Sequence, residues 1–100
     1  MGVSEELGKA VSTGKVIVGT DRSLKALKRG EVKLVVAAAN CPRETLEDLK
    51  YYTSLSGAKL HIFNSDSREL GLACGKPFTV NVVAIVDPGM SNILGAVENR

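Results

Sequence analysis

The chain has 100 residues, 44% of them hydrophobic and 24% charged, a balance that excludes disorder and suits one soluble domain too small to divide in two. Thirteen Lys and Arg against eleven Asp and Glu leave a net charge of +2, which excludes a polycationic tail that coats nucleic acid without discrimination. No apolar run reaches membrane length, and Met1–Glu6 has neither a basic n-region nor an apolar h-region, so the expectation is a cytosolic protein with no membrane partner. Glu6 also stands where a myristoylation signal after Gly2 needs Ser or Thr.

Apolar runs and helical periods then alternate regularly. Ser4 is placed to cap a first helix over Glu5–Ser12, with Leu7, Ala10 and Val11 on one face and Gly14 as its stop. Lys15–Gly19, with three β-branched residues bounded by glycines, reads as a short strand. Asp21 or Thr20 caps a second helix, Leu24 and Leu27 face inward, and Gly30 ends it. Val32–Ala38 is the second and most apolar strand, and Asn40-Cys41-Pro42 breaks the chain. Pro42 suits the start of a third helix, Arg43–Ser56, whose inner stripe is Leu46, Leu49, Tyr52 or Thr53, and Leu55, and which Gly57 terminates. Lys59–Phe63 alternates as a third strand, Ser67–Cys74 is a short helix capped at Asp66 or Ser67, and Val80–Val86 is a final strand. Asp87-Pro88-Gly89 turns the chain into a closing helix over Asn92–Val97.

This order predicts a single domain over residues 1–100, an α/β fold in the form of a three-layer α/β/α sandwich around a four-stranded sheet. In such folds the loops at one end of the sheet gather into one surface. Gly19–Arg22, Asn40–Arg43 and Phe78–Val80 are its expected members. Because Phe78 precedes its strand, the grouping requires the last strand to run antiparallel to the others, making the sheet mixed.

The chemistry-bearing residues are few. Cys41 and Cys74 lack CxxC spacing and His61 is the lone histidine, so no metal site or redox dithiol is expected, and both cysteines read as reduced small hydrophobes. There is no phosphate loop ending in Lys-Ser/Thr, no GxSxG and no His placed beside a Cys, so neither an enzyme nor a cofactor is expected. Arg22, Lys25, Lys28, Arg29 and Lys33 crowd together, while Glu44, Glu47, Asp48 and the termini carry the acids. One basic face fits a polyanion bound through a limited footprint. With only four aromatic residues in the chain, a Phe between Pro77 and Thr79 beside Lys76 is a candidate stacking platform for an unpaired base, and burial is its rival role.

The passages Thr13-Gly14-Lys15, Lys33–Pro42, Tyr51-Tyr52, Leu55-Ser56, Glu69-Leu70-Gly71, Gly75-Lys76-Pro77-Phe78 and Val83–Gly89 resemble those of the L30e family of ribosomal proteins, along nearly the whole chain. The resemblance implies a structural protein of the large ribosomal subunit, of archaeal type, in the wider L7Ae/L30e group that binds kink-turn or kink-turn-like RNA. It implies cytoplasmic ribosomes as the location, ribosomal RNA and other large-subunit proteins as partners, and a monomer when free. A related kink-turn binder outside the ribosome, or an adaptor that has lost RNA binding, are the alternatives.

Carried over by position, Gly19 matches the family glycine at the strand–helix junction, where backbone N–H groups approach phosphate or base edges. Thr20 and Arg22 belong to the same segment, and Lys25 matches the lysine of the related Gly-x-Asn-Glu-x-x-Lys pattern. Asp21 departs from that pattern, with a carboxylate in place of the amide, and Arg22 stands in place of Glu. A carboxylate only accepts hydrogen bonds, so Asp21 suits a guanine amino or imino edge or a helix cap, not a phosphate. Asn40 matches an RNA-facing asparagine and Phe78 the loop aromatic that stacks on an extruded base; Arg43, Lys76, Thr79 and Val80 are the lesser contacts.

Overall fold

The computed structural model describes residues 3–98, with side chains from 3 to 95; Met1 and Gly2, read above for targeting signals, lie outside that range. Nine elements follow one another as α1 (Val3–Thr13), β1 (Lys15–Val18), α2 (Thr20–Lys28), β2 (Leu34–Ala37), α3 (Arg43–Ser56), β3 (Lys59–Ile62), α4 (Ser67–Ala73), β4 (Val82–Asp87) and α5 (Ile93–Glu98). The strands form one sheet in the order β1-β4-β2-β3. β4 runs antiparallel to both neighbours, while β2 and β3 are parallel. The mixed sheet that the position of Phe78 required is therefore present.

The period of two along the central strands sorts their side chains into two cores. Leu34, Val36, Val83 and Ile85 meet Leu7 and Ala10 of α1, Leu70 of α4 and Ile93 of α5. Val35, Ala37, Val82 and Ala84 point the other way, against Ala26 and Leu27 of α2 and Leu49 of α3. β2 and the first four residues of β4 are buried throughout. This accounts for their unbroken apolar runs, since strands covered on both faces have no solvent side on which to alternate.

Several element boundaries differ from expectation for identifiable reasons. The ladder of β2 is shorter than Val32–Ala38, yet Val32 and Ala38 remain buried beside it. β4 begins at Val82 and not Val80, because the Val80 N–H donates to Ser67 O at 3.0 Å and so belongs to the packing of α4. Ser4 lies inside α1 and is not its cap. Gly14 follows α1 for a steric reason: a Cβ there would collide with the backbone of Asp87, Pro88 and Gly89. Leu55 was expected in the inner stripe of α3 but is 66% exposed; Leu49 and Thr53 are the buried residues of that helix, with Leu46 and Tyr52 packed against the same core. Of the adjoining tyrosines, Tyr52 packs inward, and Tyr51 is 59% exposed with its ring edge-on to Tyr52 at 5.0 Å.

Glu6 gives the least expected feature of the core. The sequence groups it with solvated terminal acids, whereas it is only 2% exposed. Its Oε1 accepts from the Asn92 N–H at 2.7 Å, just ahead of α5, and Oε2 lies 3.4 Å from Lys9 Nζ. The carboxylate thus ties the first helix to the last. The backbone N–H of Asn92 holds its pKa below the usual value of 4.5, against the opposing effect of desolvation and with help from Lys9. A lowered folded-state pKa makes a stabilising contribution that is complete above the unfolded value and is lost as pH falls through the folded one. Glu6→Gln keeps an acceptor for Asn92 but removes the charge and the titration. Thermal unfolding of both proteins should show the native chain more stable at neutral pH and the gap closing below roughly pH 4.5; a gap that stays constant with pH would assign no role to the charge.

Candidate nucleic-acid interface

The antiparallel insertion of β4 fixes where the loops go. Val18 faces Val83 and Ala37 faces Val82, so the C-terminal ends of β1 and β2 lie beside the N-terminal end of β4. Three backbone bonds seal this end of the sheet: Gly19 N–H to Val82 O at 3.0 Å, Ala38 N–H to Asn81 O at 2.8 Å, and Ala39 N–H to Ser65 O at 2.9 Å. The segments after β1, after β2 and before β4 are held together by the sheet itself.

Gly19 begins the first of these segments. Its φ of 116° and ψ of 148° lie in a region essentially reserved for glycine, and this turn lets the chain pass directly from β1 into α2. Gly19 itself is the N-cap, with no side-chain hydrogen bond to the helix, so neither Thr20 nor Asp21 performs the capping expected of them. The first helical bond runs from Ser23 N–H to Gly19 O at 3.0 Å. The N–H groups of Thr20, Asp21 and Arg22 consequently have no intrahelical acceptor. Together with the helix dipole they form a donor cluster suited to an anion or to base acceptors. Asp21 is exposed in this first turn, where its charge favours the helix and opposes a phosphate directly beside it. Ser23 is buried, and its Oγ donates to Ile17 O at 3.3 Å, pinning the start of α2 to β1.

The segment opposite is constrained over its whole length. α4 ends with Gly75 at φ 73°, Gly75 N–H donating to Leu72 O and Lys76 N–H to Gly71 O, both at 2.9 Å. That pair of bonds is a Schellman ending, which reverses the chain over its own helix. Gly71 lies directly beneath the returning strand of chain, and a Cβ there would collide with the Phe78 carbonyl. Val80 then buries its side chain in the core. With both ends anchored, Phe78 remains 57% exposed, so the burial alternative for its ring is not realised.

Between these two segments lies a cleft of about 330 Å³ lined by Val18, Gly19, Thr20, Arg22, Lys76, Phe78, Thr79, Val80 and Asn81. It brings together seven of the residues selected from sequence, with Val80 as a buried wall. Asn81 was missed; a polar residue immediately before an apolar strand was its only signal. A groove of about 300 Å³ lined by Ile17, Arg22, Lys25, Ala26 and Arg29 continues along α2, so Arg22 belongs to both and Lys25 extends the basic lining. No carboxylate lines either hollow. A larger hollow of about 470 Å³ lies between the α1 and α4 regions, carries Glu5 and Glu69, and has no Lys or Arg in its lining, a poor match for a polyanion.

Asn40 and Arg43 stand outside the cleft lining. Arg43 is exposed and its Nε lies 3.6 Å from Glu47 Oε2, a surface pair of small energetic weight. Asn40 Oδ1 accepts from Ser67 N–H at 2.8 Å, linking the loop after β2 to the start of α4. The oxygen is therefore committed to folding, and the amide NH2 is left as a donor. Asp66 caps the same helix by accepting from Glu69 N–H at 3.0 Å. Cys74 is buried, and burial pushes its thiol up to about 11 against the opposing field of Lys76; burial also raises Cys41. Neither thiol is poised as a nucleophile.

Asn40→Ala should lower stability by about 1 kcal/mol through the unsatisfied Ser67 amide, whereas Asn40→Asp keeps the acceptor and should unfold close to the native denaturant midpoint. Chemical denaturation of the pair checks this, and equal losses would refute the division of the side chain into a folding half and a free half.

Residues 1–95 match the ribosomal protein L7Ae/L30e/S12e/Gadd45 family. The chain is 46% identical over 100 residues to a protein of Methanocaldococcus jannaschii named large ribosomal subunit protein eL30, covering 100% of this chain and 91% of that one. A protein of the same name from Pyrobaculum calidifontis is 44% identical, with 97% and 96% covered. Among solved structures, a protein of unknown function from Bacillus halodurans superposes with a TM-score of 0.84 at 23% identity, over 98% of this chain and 97% of that one. The last likeness concerns the fold alone.

Proposed function

Because the chain belongs to the ribosomal protein L7Ae/L30e/S12e/Gadd45 family, we propose that it is a structural protein of the large ribosomal subunit in the cytoplasm, not an enzyme, and that it holds a sharply bent internal loop of ribosomal RNA. The observation that carries this reading is the exposed Phe78 ring on an anchored segment, facing the uncapped start of α2 across one cleft.

Each side of the cleft has a distinct task. The free N–H groups of Thr20–Arg22 and the cations Arg22 and Lys76 receive the backbone and base acceptors at the bend, and Lys25 neutralises phosphate one turn along α2. Phe78 stacks on a base that the bend has extruded, a contact on the scale of about 1–3 kcal/mol. The Asn40 amide donates to a base or phosphate oxygen beyond the cleft. Asp21 accepts from a guanine amino or imino edge, which fits its position among donors better than contact with phosphate does. Because an intact duplex offers no extruded base, selectivity resides in the shape of the loop and not in a long sequence.

Binding of a kink-turn internal loop and of a fully paired duplex, measured at several salt concentrations, tests the proposal. The loop should bind preferentially and weaken as salt rises. Phe78→Ala should fold normally, since the ring is exposed, and should lose at least about tenfold in affinity for the loop, or about 1.4 kcal/mol. Equal, weak binding of both RNAs would reject the reading in favour of an adaptor that has lost RNA binding, whereas loop-selective binding unaffected by Phe78→Ala would remove the stacking role alone.

A further inference from the structure

A second surface lies at the far end of α2. That helix has nine residues, so its C-terminus is about 13 Å along the axis from the uncapped amides. There Leu27, Lys28, Arg29 and Gly30 meet Tyr52, Leu55 and Ser56 of α3 around a groove of about 270 Å³. Its apolar floor comes from Leu27, Tyr52 and the exposed Leu55, which has no part in the core. Lys28 Nζ sits 5.1 Å from the centre of the Tyr52 ring, so the lysine stem and the ring support one another at the rim. No carboxylate lines the groove, and neither Lys28 nor Arg29 forms an ion pair among the described residues.

We propose that this groove is a docking site for an acidic segment of a partner protein, with an apolar side chain seated on Tyr52 and Leu55 and flanking carboxylates paired to Lys28 and Arg29. Charge complementarity selects the sign of the occupant: the only ionic groups in the lining are two cations. The floor selects its class. The exposed Leu55 and the partly buried Tyr52 ring give an apolar side chain hydrocarbon to remove from water, with buried Leu27 closing the floor beneath them, while a nucleotide phosphate would gain only the rim. The separation along α2 leaves the cleft at its other end open, so one molecule can hold RNA and the acidic segment together. This site does not depend on the RNA reading.

The test follows backbone amide resonances of the full-length protein during titration with the peptide acetyl-Asp-Glu-Leu-Leu-Asp-Glu-amide, its Lys-substituted counterpart and a short oligouridine. The acidic peptide should shift amides in Lys28–Gly30 and Tyr52–Ser56 and leave those of Gly19–Arg22 and Phe78 in place. Leu55→Asp, which alters an exposed position, and Arg29→Glu should each weaken this binding at least tenfold. An equal response to the basic peptide, the same shifts with oligouridine, or no shifts at millimolar acidic peptide would each overturn the proposal. A parallel titration of Leu55→Asp with kink-turn RNA should match the native protein, so that failure at the groove and failure at the cleft are read separately.

Discussion

The antiparallel placement of β4 between β1 and β2 is the constraint on which the rest of the molecule depends. Were β4 parallel to its neighbours, its N-terminal end would lie at the opposite edge of the sheet, and the segment holding Phe78 would be remote from Gly19. The ladder fixes Val83 opposite Val18 and Val82 opposite Ala37. A register slip of one residue would exchange the two cores, since Val82 and Ala84 pack on the α2 and α3 side and Val83 and Ile85 on the other. The hydrophobic pattern that makes the fold unique is thus the same feature that gives the candidate interface its geometry.

The preparation of that interface is largely backbone work. Gly19 supplies a conformation closed to other residues, Gly71 supplies room for the Phe78 carbonyl, and Gly75 supplies the reversal after α4. The side chains that remain exposed are then held by a scaffold already paid for in folding. Preorganisation of this sort reduces the ordering entropy that a flexible binding loop would lose on meeting its ligand. It also explains why the cleft has few side chains with strong internal partners: its donors are kept open, and its one ring is kept outside the core.

Much of this was legible in the sequence, and the limits have physical causes. All nine elements and the limits of α3 follow from periodicity and from glycine and proline punctuation, and the direction of β4 follows from placing Phe78 with the other loops. The capping of α2 was misassigned because Thr20 and Asp21 both have good capping side chains, while the decisive quantity was the dihedral pair of Gly19. Leu55 was misplaced because it does not share the stripe: two residues beyond the buried Thr53, it is turned roughly 160° from it around the helix and faces outward. Glu6 was invisible since burial of an acid depends on a partner, Asn92, from the other end of the chain. Asn40 illustrates a subtler limit. The resemblance marks it as a ligand contact, yet the side chain also supports the loop, its oxygen committed to Ser67 and its NH2 still available.

The two ends of α2 show how one short helix can carry opposite chemical demands. At its start, three N–H groups without intrahelical acceptors and a positive dipole end favour anions independently of the side-chain charges of Arg22 and Lys25. At its end the dipole is negative, so an attraction for acidic groups there must come from side chains, and Lys28 and Arg29 supply it while also compensating the carbonyl end. Arg22, Lys25 and Arg29, spaced along one side of the helix, join the two ends into a continuous positive flank beside β1. A net charge of only +2 is compatible with this because, apart from Asp21 and Glu31, the acids lie elsewhere: Glu44, Glu47 and Asp48 occupy exposed positions early in α3, and Glu5 and Glu69 line the hollow near α1 and α4. Separation of sign across the surface, rather than total charge, is what orients such a small protein towards a polyanion.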